Sequence, residues 1–339
     1  MRSAWRRIGA ALSVVALVAA APACSSSSGE ADGLLIYNAQ HESLTKEWID
    51  AFTRATGIKV TYRQGGDTEL GNQLIAEGAS SPADLLLTEN SPAMAAVEKA
   101  GLFANVDQAT IAQVPAQYRP ATNKWTGVAA RTTVFAYDKS KLTEAQLPTS
   151  IMDLEQPAWK GRWGAPPVKP DFQAIVAAML ELTGEPATAA WLAGMKNGAE
   201  IFQDNIATLR AINAGEIAGG VIYHYYWFRD QASTKEISGN TALHYFRNGD
   251  PGAFVSISGG GVLNSSKKKD QAQKFLTFVT SKAGQEVLEN GTSFEYPVGS
   301  GVPANSALVP LTELQAPAVN PSDLDSQKVT DLMTKAGLL

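Results

Sequence analysis

Short apolar runs alternate with amphipathic segments of helical period from Leu34 onward, an order that calls for a parallel sheet covered on both faces. Leu34–Tyr37 is the first run. Ser43–Thr56 then spaces Leu44, Trp48 and Phe52 along one helical face and stops at Gly57, a residue suited to the left-handed turn that ends a helix. Lys59–Tyr62 reads as the next strand. Glu69–Glu77 brings Leu70, Leu74 and Ile75 together before Gly78, and Asp84–Leu87 is a third strand. Ser91-Pro92 opens a further helix, with Ser as N-cap and Pro at the first helical position, and Gly101 closes it.

The pattern resumes downstream with helices at Phe172–Leu182, Ala187–Lys196 and Ile206–Ala214, the last leading through Gly215 into the strand Ala218–Ile222. A second α/β lobe follows. Between the halves, Thr132–Tyr137 and Ala253–Ile257 read as extended segments that carry the chain from lobe to lobe, and two crossings make a hinge. Long helices are expected at Gln271–Glu289 and Gln327–Ala336. The expected division is residues 33–130 with 258–306 in lobe 1, and 131–257 with 307–339 in lobe 2. Each lobe is then of ordinary domain size.

Ahead of the first strand, Arg2, Arg6 and Arg7 precede the uncharged run Ile8–Ala21, then Ala21-Pro22-Ala23 and Cys24, which together read as an export signal. The run falls short of the ~20 residues that cross a bilayer. Cys24 is the only cysteine, so an intramolecular disulfide is excluded, and its thiol stands where it can be acylated. The segment resembles a bacterial lipoprotein signal. That implies residues 1–23 as signal peptide, Cys24 as lipid anchor, residues 24–32 as a Ser-rich tether, and a mature protein on the outer face of the cell membrane, periplasmic or cell-surface side. Cleavage would remove three arginines and no acids, moving the formal charge from −5 to −8. Nucleic acid is excluded as a partner by this acidic balance. No later stretch reads as a membrane span.

Ligands of open parallel sheets bind beyond the carboxyl ends of the strands, where loops and helix N-termini converge. Leu34–Tyr37 runs into Asn38-Ala39-Gln40-His41, Asp84–Leu87 into Thr88-Glu89-Asn90, and Ala218–Ile222 into Tyr223-His224-Tyr225-Tyr226-Trp227. An imidazole, a carboxylate and a phenol pair therefore share one edge. Two phenolates and a carboxylate balance a hard trivalent cation, and a neutral histidine completes four ligands. The phenols must lose protons that they normally keep until near pH 10, so binding is expected to weaken in acid. Tyr225 and Tyr226 reach one ion only if the strand has already given way to a helix start.

The segments Tyr37–Leu44, Pro82–Glu89 and Tyr223–Trp227 resemble motifs of periplasmic ferric-iron-binding proteins, the bacterial transferrins of iron ABC transporters, with similarity from about Leu34 to the C-terminus. The resemblance implies a type II, two-lobed α/β solute-binding fold with two crossover strands at the hinge and the ligand in the interlobe cleft. It places the iron ligands on His41, Glu89, Tyr225 and Tyr226, and implies a monomer that delivers Fe(3+) to a permease and its ATPase. It implies no enzymatic activity. Relatives complete the site with a phosphate held by a Ser-Gly-Ala turn and two asparagines; here the turn reads Lys169-Pro170-Asp171, Asn205 matches the first asparagine and Tyr223 replaces the second. Lys169 or Arg131 is a candidate to attract carbonate, phosphate or citrate, Asp171 or Tyr223 to act as a fifth ligand, and Asp171 is also read as an N-cap.

Two rival functions remain at this point. One keeps the fold and binds an organic solute (phosphonate, thiamine or polyamine) in a tyrosine box. The other is a hydrolase built on His41 or His224, for which no nucleophile is evident. Gly259-Gly260-Gly261 and Gly299-Ser300-Gly301 lack the strand–turn–helix setting of nucleotide or hydrolase motifs.

Overall fold

The computed structural model describes residues 33–339; the export signal, Cys24 and the tether lie outside the described residues. Nine strands form the framework: β1 Leu34–Asn38, β2 Val60–Gln64, β3 Leu85–Leu87, β4 Thr126–Asp138, β5 Trp163–Ala165, β6 Glu200–Ile201, β7 Gly219–Tyr223, β8 Thr241–His244 and β9 Val255–Val262. They make two ladders that share β4. The first runs β2-β1-β3-β9-β4 and the second β8-β4-β7-β5-β6. Thr126–Thr132 of β4 pair with β9, whereas Thr133–Tyr137 pair with β7. Of the expected crossing segments, Thr132–Tyr137 is the second half of β4, whereas Ala253–Ile257 is extended as β9 only from Val255, Ala253 closing a 3-10 turn; β4 and β9 run antiparallel.

β1 lies parallel to β2 and β3, and the helix Glu42–Thr56 covers it as its apolar spacing requires. Leu44, Trp48 and Phe52 are buried, Phe52 meets Phe275 edge-on at 5.1 Å between ring centroids, and Gly57 ends the helix at φ 73°. In the second half, helices at Pro170–Thr183, Glu185–Gly198 and Asn205–Asn213 cover β5 and β7. Trp163, Trp191 and Phe172 pack there at centroid spacings of 5.6 and 6.1 Å. The run Gly259–Gly261 belongs to β9, and packing explains it. A Cβ at Gly259 would stand 2.3 Å from Met94 Cγ, and one at Gly261 2.6 Å from Phe103 Cε1, so only bare backbone lets both neighbours close on this strand.

Two expectations need correction. Gln271–Glu289 is two helices, Lys269–Thr280 and Lys282–Asn290, because Ser281 is extended and its hydroxyl accepts from Gly284 N–H to cap the second. The helix Ser91–Lys99 takes Asn90 as its N-cap residue, with Ser91 and Pro92 inside its first turn. β5, β6 and β8 escaped the sequence reading because they are two to four residues long, too short to show a period. Among the described residues no helix is long and apolar enough to cross a membrane.

Candidate metal centre

Each candidate side chain leaves a strand end at the same sheet edge. His41 directly precedes the helix Glu42–Thr56 after β1, Glu89 sits between β3 and the helix Ser91–Lys99, and β7 ends at Tyr223. The helix His224–Gln231 begins at the next residue, and this change of backbone lets two adjacent tyrosines face one place. Their ring centroids are 4.3 Å apart. Asp171 joins them from the first turn of the helix Pro170–Thr183.

Two pairs of donor atoms meet there. His41 Nε2 lies 3.0 Å from Glu89 Oε1. The Tyr225 and Tyr226 hydroxyls both donate to Asp171 Oδ2, at 3.2 and 3.0 Å. The His41 ring packs edge-on against Tyr225, 4.8 Å between centroids, which sets the two pairs side by side. A small hard cation with octahedral bonds of about 2.0 Å holds neighbouring donors about 2.8 Å apart. The spacings seen here are within a few tenths of an ångström of that edge. Among the described residues no group of three or more His, Cys, Asp or Glu side chains is arranged to hold a metal ion, and the two phenol hydroxyls are the further oxygens at this place.

Asp171 is not the N-cap; Lys169 holds that position, and Pro170 and Asp171 follow inside the helix. The Asp171 carboxylate is instead buried and directed at the cleft, where Oδ2 also accepts from Asn205 Nδ2 and Oδ1 from Asn90 Nδ2, both at 3.0 Å. Lys169 is partly exposed, and no hydrogen bond or ion pair from it joins the cluster. Tyr223 is fully buried and donates its hydroxyl to Asn90 Oδ1 at 3.2 Å, so it stands behind Asn90. Arg131 is fully buried on β4; its Nη2 pairs with Glu295 Oε2, and the guanidinium lies 5.8 Å from the Tyr225 ring centre.

The electrostatics follow from burial. Desolvation, with Asp171 beside them, pushes both the Tyr225 and Tyr226 phenols well above their ordinary range, so the metal-free phenols are protonated at neutral pH. Desolvation and Asp171 likewise push the Glu89 carboxyl well up. Glu295 behaves oppositely. Burial would raise it, but Arg131 and His41 outweigh burial and hold it down to about 2. Asp67, raised to about 7 by burial, accepts from Glu89 N–H at 2.9 Å and from Asn90 N–H at 3.1 Å, which fixes the loop that presents Glu89.

His41, Glu89, Tyr225 and Tyr226 are thus brought together, and Asp171 with them. Sequence reasoning missed Asn90, Asp67 and Glu295. Asn90 stood in the quoted loop without a role, because its contacts reach 81 residues to Asp171 and 166 to Ser256. Glu295 carried one faint signal, a carboxylate enclosed by Phe294 and Tyr296. His224 is buried and held near pH 4 by desolvation; its Nδ1 accepts from Thr132 N–H at 3.3 Å and its Nε2 faces Phe294 O at 2.7 Å.

Residues 80–325 match the family model described as bacterial extracellular solute-binding protein. The chain is 56% identical over 307 residues to the Fe(3+)-binding periplasmic protein of Serratia marcescens, covering 91% of each. It is 35% identical over 331 residues to the major ferric iron-binding protein of Neisseria gonorrhoeae, covering 97% of this chain and 98% of that one. Among solved structures, iron-bound HitA from Pseudomonas aeruginosa is similar at TM-score 0.84 and 39% identity, covering 90% of this chain and 99% of the other. The Trichodesmium protein IdiA (FutA), in complex with iron and citrate, is similar at TM-score 0.80 and 26% identity, covering 91% and 100%.

Proposed function

This chain belongs to the bacterial extracellular solute-binding protein family, among its periplasmic ferric-iron-binding members, and from that premise we propose that it holds a ferric ion on His41, Glu89, Tyr225, Tyr226 and Asp171. It is a transport protein with a type II solute-binding fold, not an enzyme. The observation that carries the ligand set is the spacing of the donor atoms. His41–Glu89 and Tyr–Asp171 pairs stand at the separations of octahedral edges, with both phenol hydroxyls directed at the Asp171 carboxylate. Phenolate and carboxylate oxygens select a hard trivalent ion over softer divalent ones. Protein given ferric citrate is expected to take up iron and develop a visible phenolate-to-iron charge-transfer band; protein that stays colourless and iron-free contradicts the proposal.

In this reading Asp171 takes the part of the small anion. Pro170 removes one N–H from the helix start that would cradle phosphate, and the Asp171 carboxylate occupies the place beside both phenols. In this reading the chain supplies from one of its own side chains what carbonate, phosphate or citrate would otherwise bring. Asp171→Ala is expected to weaken iron binding roughly 100-fold in anion-free buffer, the worth of about one ligand. Added citrate should restore part of that loss, while the wild type is indifferent to it. A wild-type protein that needs an added anion for tight binding counts against this role.

The remaining readings are proposals of position. Cys24 anchors the exported protein by lipid, residues 25–32 tether it, and the closed form, with lobes divided as 33–130 plus 258–306 and 131–257 plus 307–339, delivers iron to the permease of an ABC importer. Binding of an organic solute would leave the facing His41–Glu89 pair without purpose. A hydrolase built on His224 has no free ring nitrogen, since both face backbone groups.

A further inference from the structure

Behind His41, on the ring's Nδ1 side and opposite Glu89, lies a second carboxylate. Glu295 is fully buried. Its backbone is fixed to the crossover strand β4, because the adjoining Tyr296 exchanges both amide hydrogen bonds with Ala130, at 2.8 and 2.9 Å. Its Oε1 faces His41 Nδ1 at 2.8 Å. Its Oε2 accepts from Arg131 Nη2 on β4, from Gln40 Nε2 at 3.3 Å and from Ser258 Oγ on β9 at 3.4 Å. Gln40 also accepts the His41 backbone N–H at 2.7 Å, so ring and backbone are held from one side.

We infer that Glu295 is the positioning residue for His41, fixing the imidazole with its proton on Nδ1 and its bare Nε2 directed at the metal. The inference rests on the iron-centre reading above and assigns the residue that makes His41 a competent ligand. A carboxylate only accepts, so the nitrogen that faces it carries the proton; a rotated ring would aim an N–H at the ion. Arg131 is permanently charged and keeps Glu295 an acceptor. Carboxylates behind metal-bound histidines raise ligand basicity, and their loss typically costs about 10- to 100-fold in metal affinity.

The test combines a double-mutant cycle with a spectroscopic readout. Glu295→Gln is expected to bind iron roughly 10- to 100-fold more weakly in chelator competition while keeping its charge-transfer colour, since the phenolates remain. The same change in a His41→Ala background is expected to add little. Equal losses in both backgrounds, or no loss in the first, overturn the inference. Wild-type protein labelled with ¹⁵N-histidine and loaded with diamagnetic Ga(III) gives a reading that does not depend on whether the variant folds. With three histidines in the chain, His41 is assignable by its absence from His41→Ala. Its Nδ1 should carry the proton and its Nε2 the metal; the reverse assignment overturns the inference. Wild-type protein that takes up neither ion overturns the centre itself, a result distinct from a centre that binds without help from Glu295.

Discussion

The double variant Tyr225→Phe, Tyr226→Phe is expected to lose the visible band altogether and at least about 10⁴ in ferric affinity. The size follows from sharing a typical site energy of about 10–16 kcal/mol over four or five ligands, which gives about 3 kcal/mol, or more than 100-fold, for each ligand removed. The colour follows from the same atoms, because the phenolate oxygens are the only ligands proposed here that donate charge to Fe(III) in the visible. Phenylalanine preserves the ring stack, whose centroids stand 4.3 Å apart, and removes only the two hydroxyls that donate to Asp171. Thermal unfolding of the metal-free variant serves as the control, since Asp171 still accepts from Asn90 and Asn205. Isothermal competition against a chelator measures the loss. A coloured, tight-binding double variant would remove the phenolates from the site and with them the case for iron.

Acid is expected to release the cargo steeply. Burial and Asp171 raise both phenols, so the free protein carries their protons across the whole neutral and acidic range, while the loaded protein carries neither. The bound state holds fewer protons, and affinity therefore rises with pH and falls as pH falls. Two protons displaced per ion give a change of roughly 100-fold per pH unit. Affinities measured from pH 5 to pH 8, referred to free ferric ion, should show that slope. A slope near zero would mean that the phenols are not displaced as ligands.

The parts of the molecule legible in the sequence were those written in local periods. Leu44, Trp48 and Phe52 announce their helix, and the apolar runs at β1 and β3 announce buried parallel strands, so His41 and Glu89 could be assigned to one sheet edge without coordinates. That the strand must give way to a helix start before both tyrosines can share an ion was legible too, but not its place, which is between Tyr223 and His224. Long-range partners were not legible. Glu295 reaches His41 across 254 residues and Arg131 across 164, and no spacing rule encodes a contact of that kind. Of the two roles read for Asp171, the N-cap fails. Helix-start carboxylates ordinarily cap, but this one sits two positions past the cap residue Lys169 and finds four side-chain donors instead.

Because β4 belongs to one ladder up to Thr132 and to the other from Thr133, any rotation that parts the two ladders must twist this strand near that junction. The donors divide along the same line. His41 and Glu89 travel with the ladder of β1 and β3, while Asp171, Tyr225 and Tyr226 travel with that of β5 and β7. On the proposed ligand set, opening would therefore not loosen five bonds together. It would strip away the histidine and one carboxylate and leave the ion resting on three oxygens of a half-cup, exposed on one side to whatever ligand comes next.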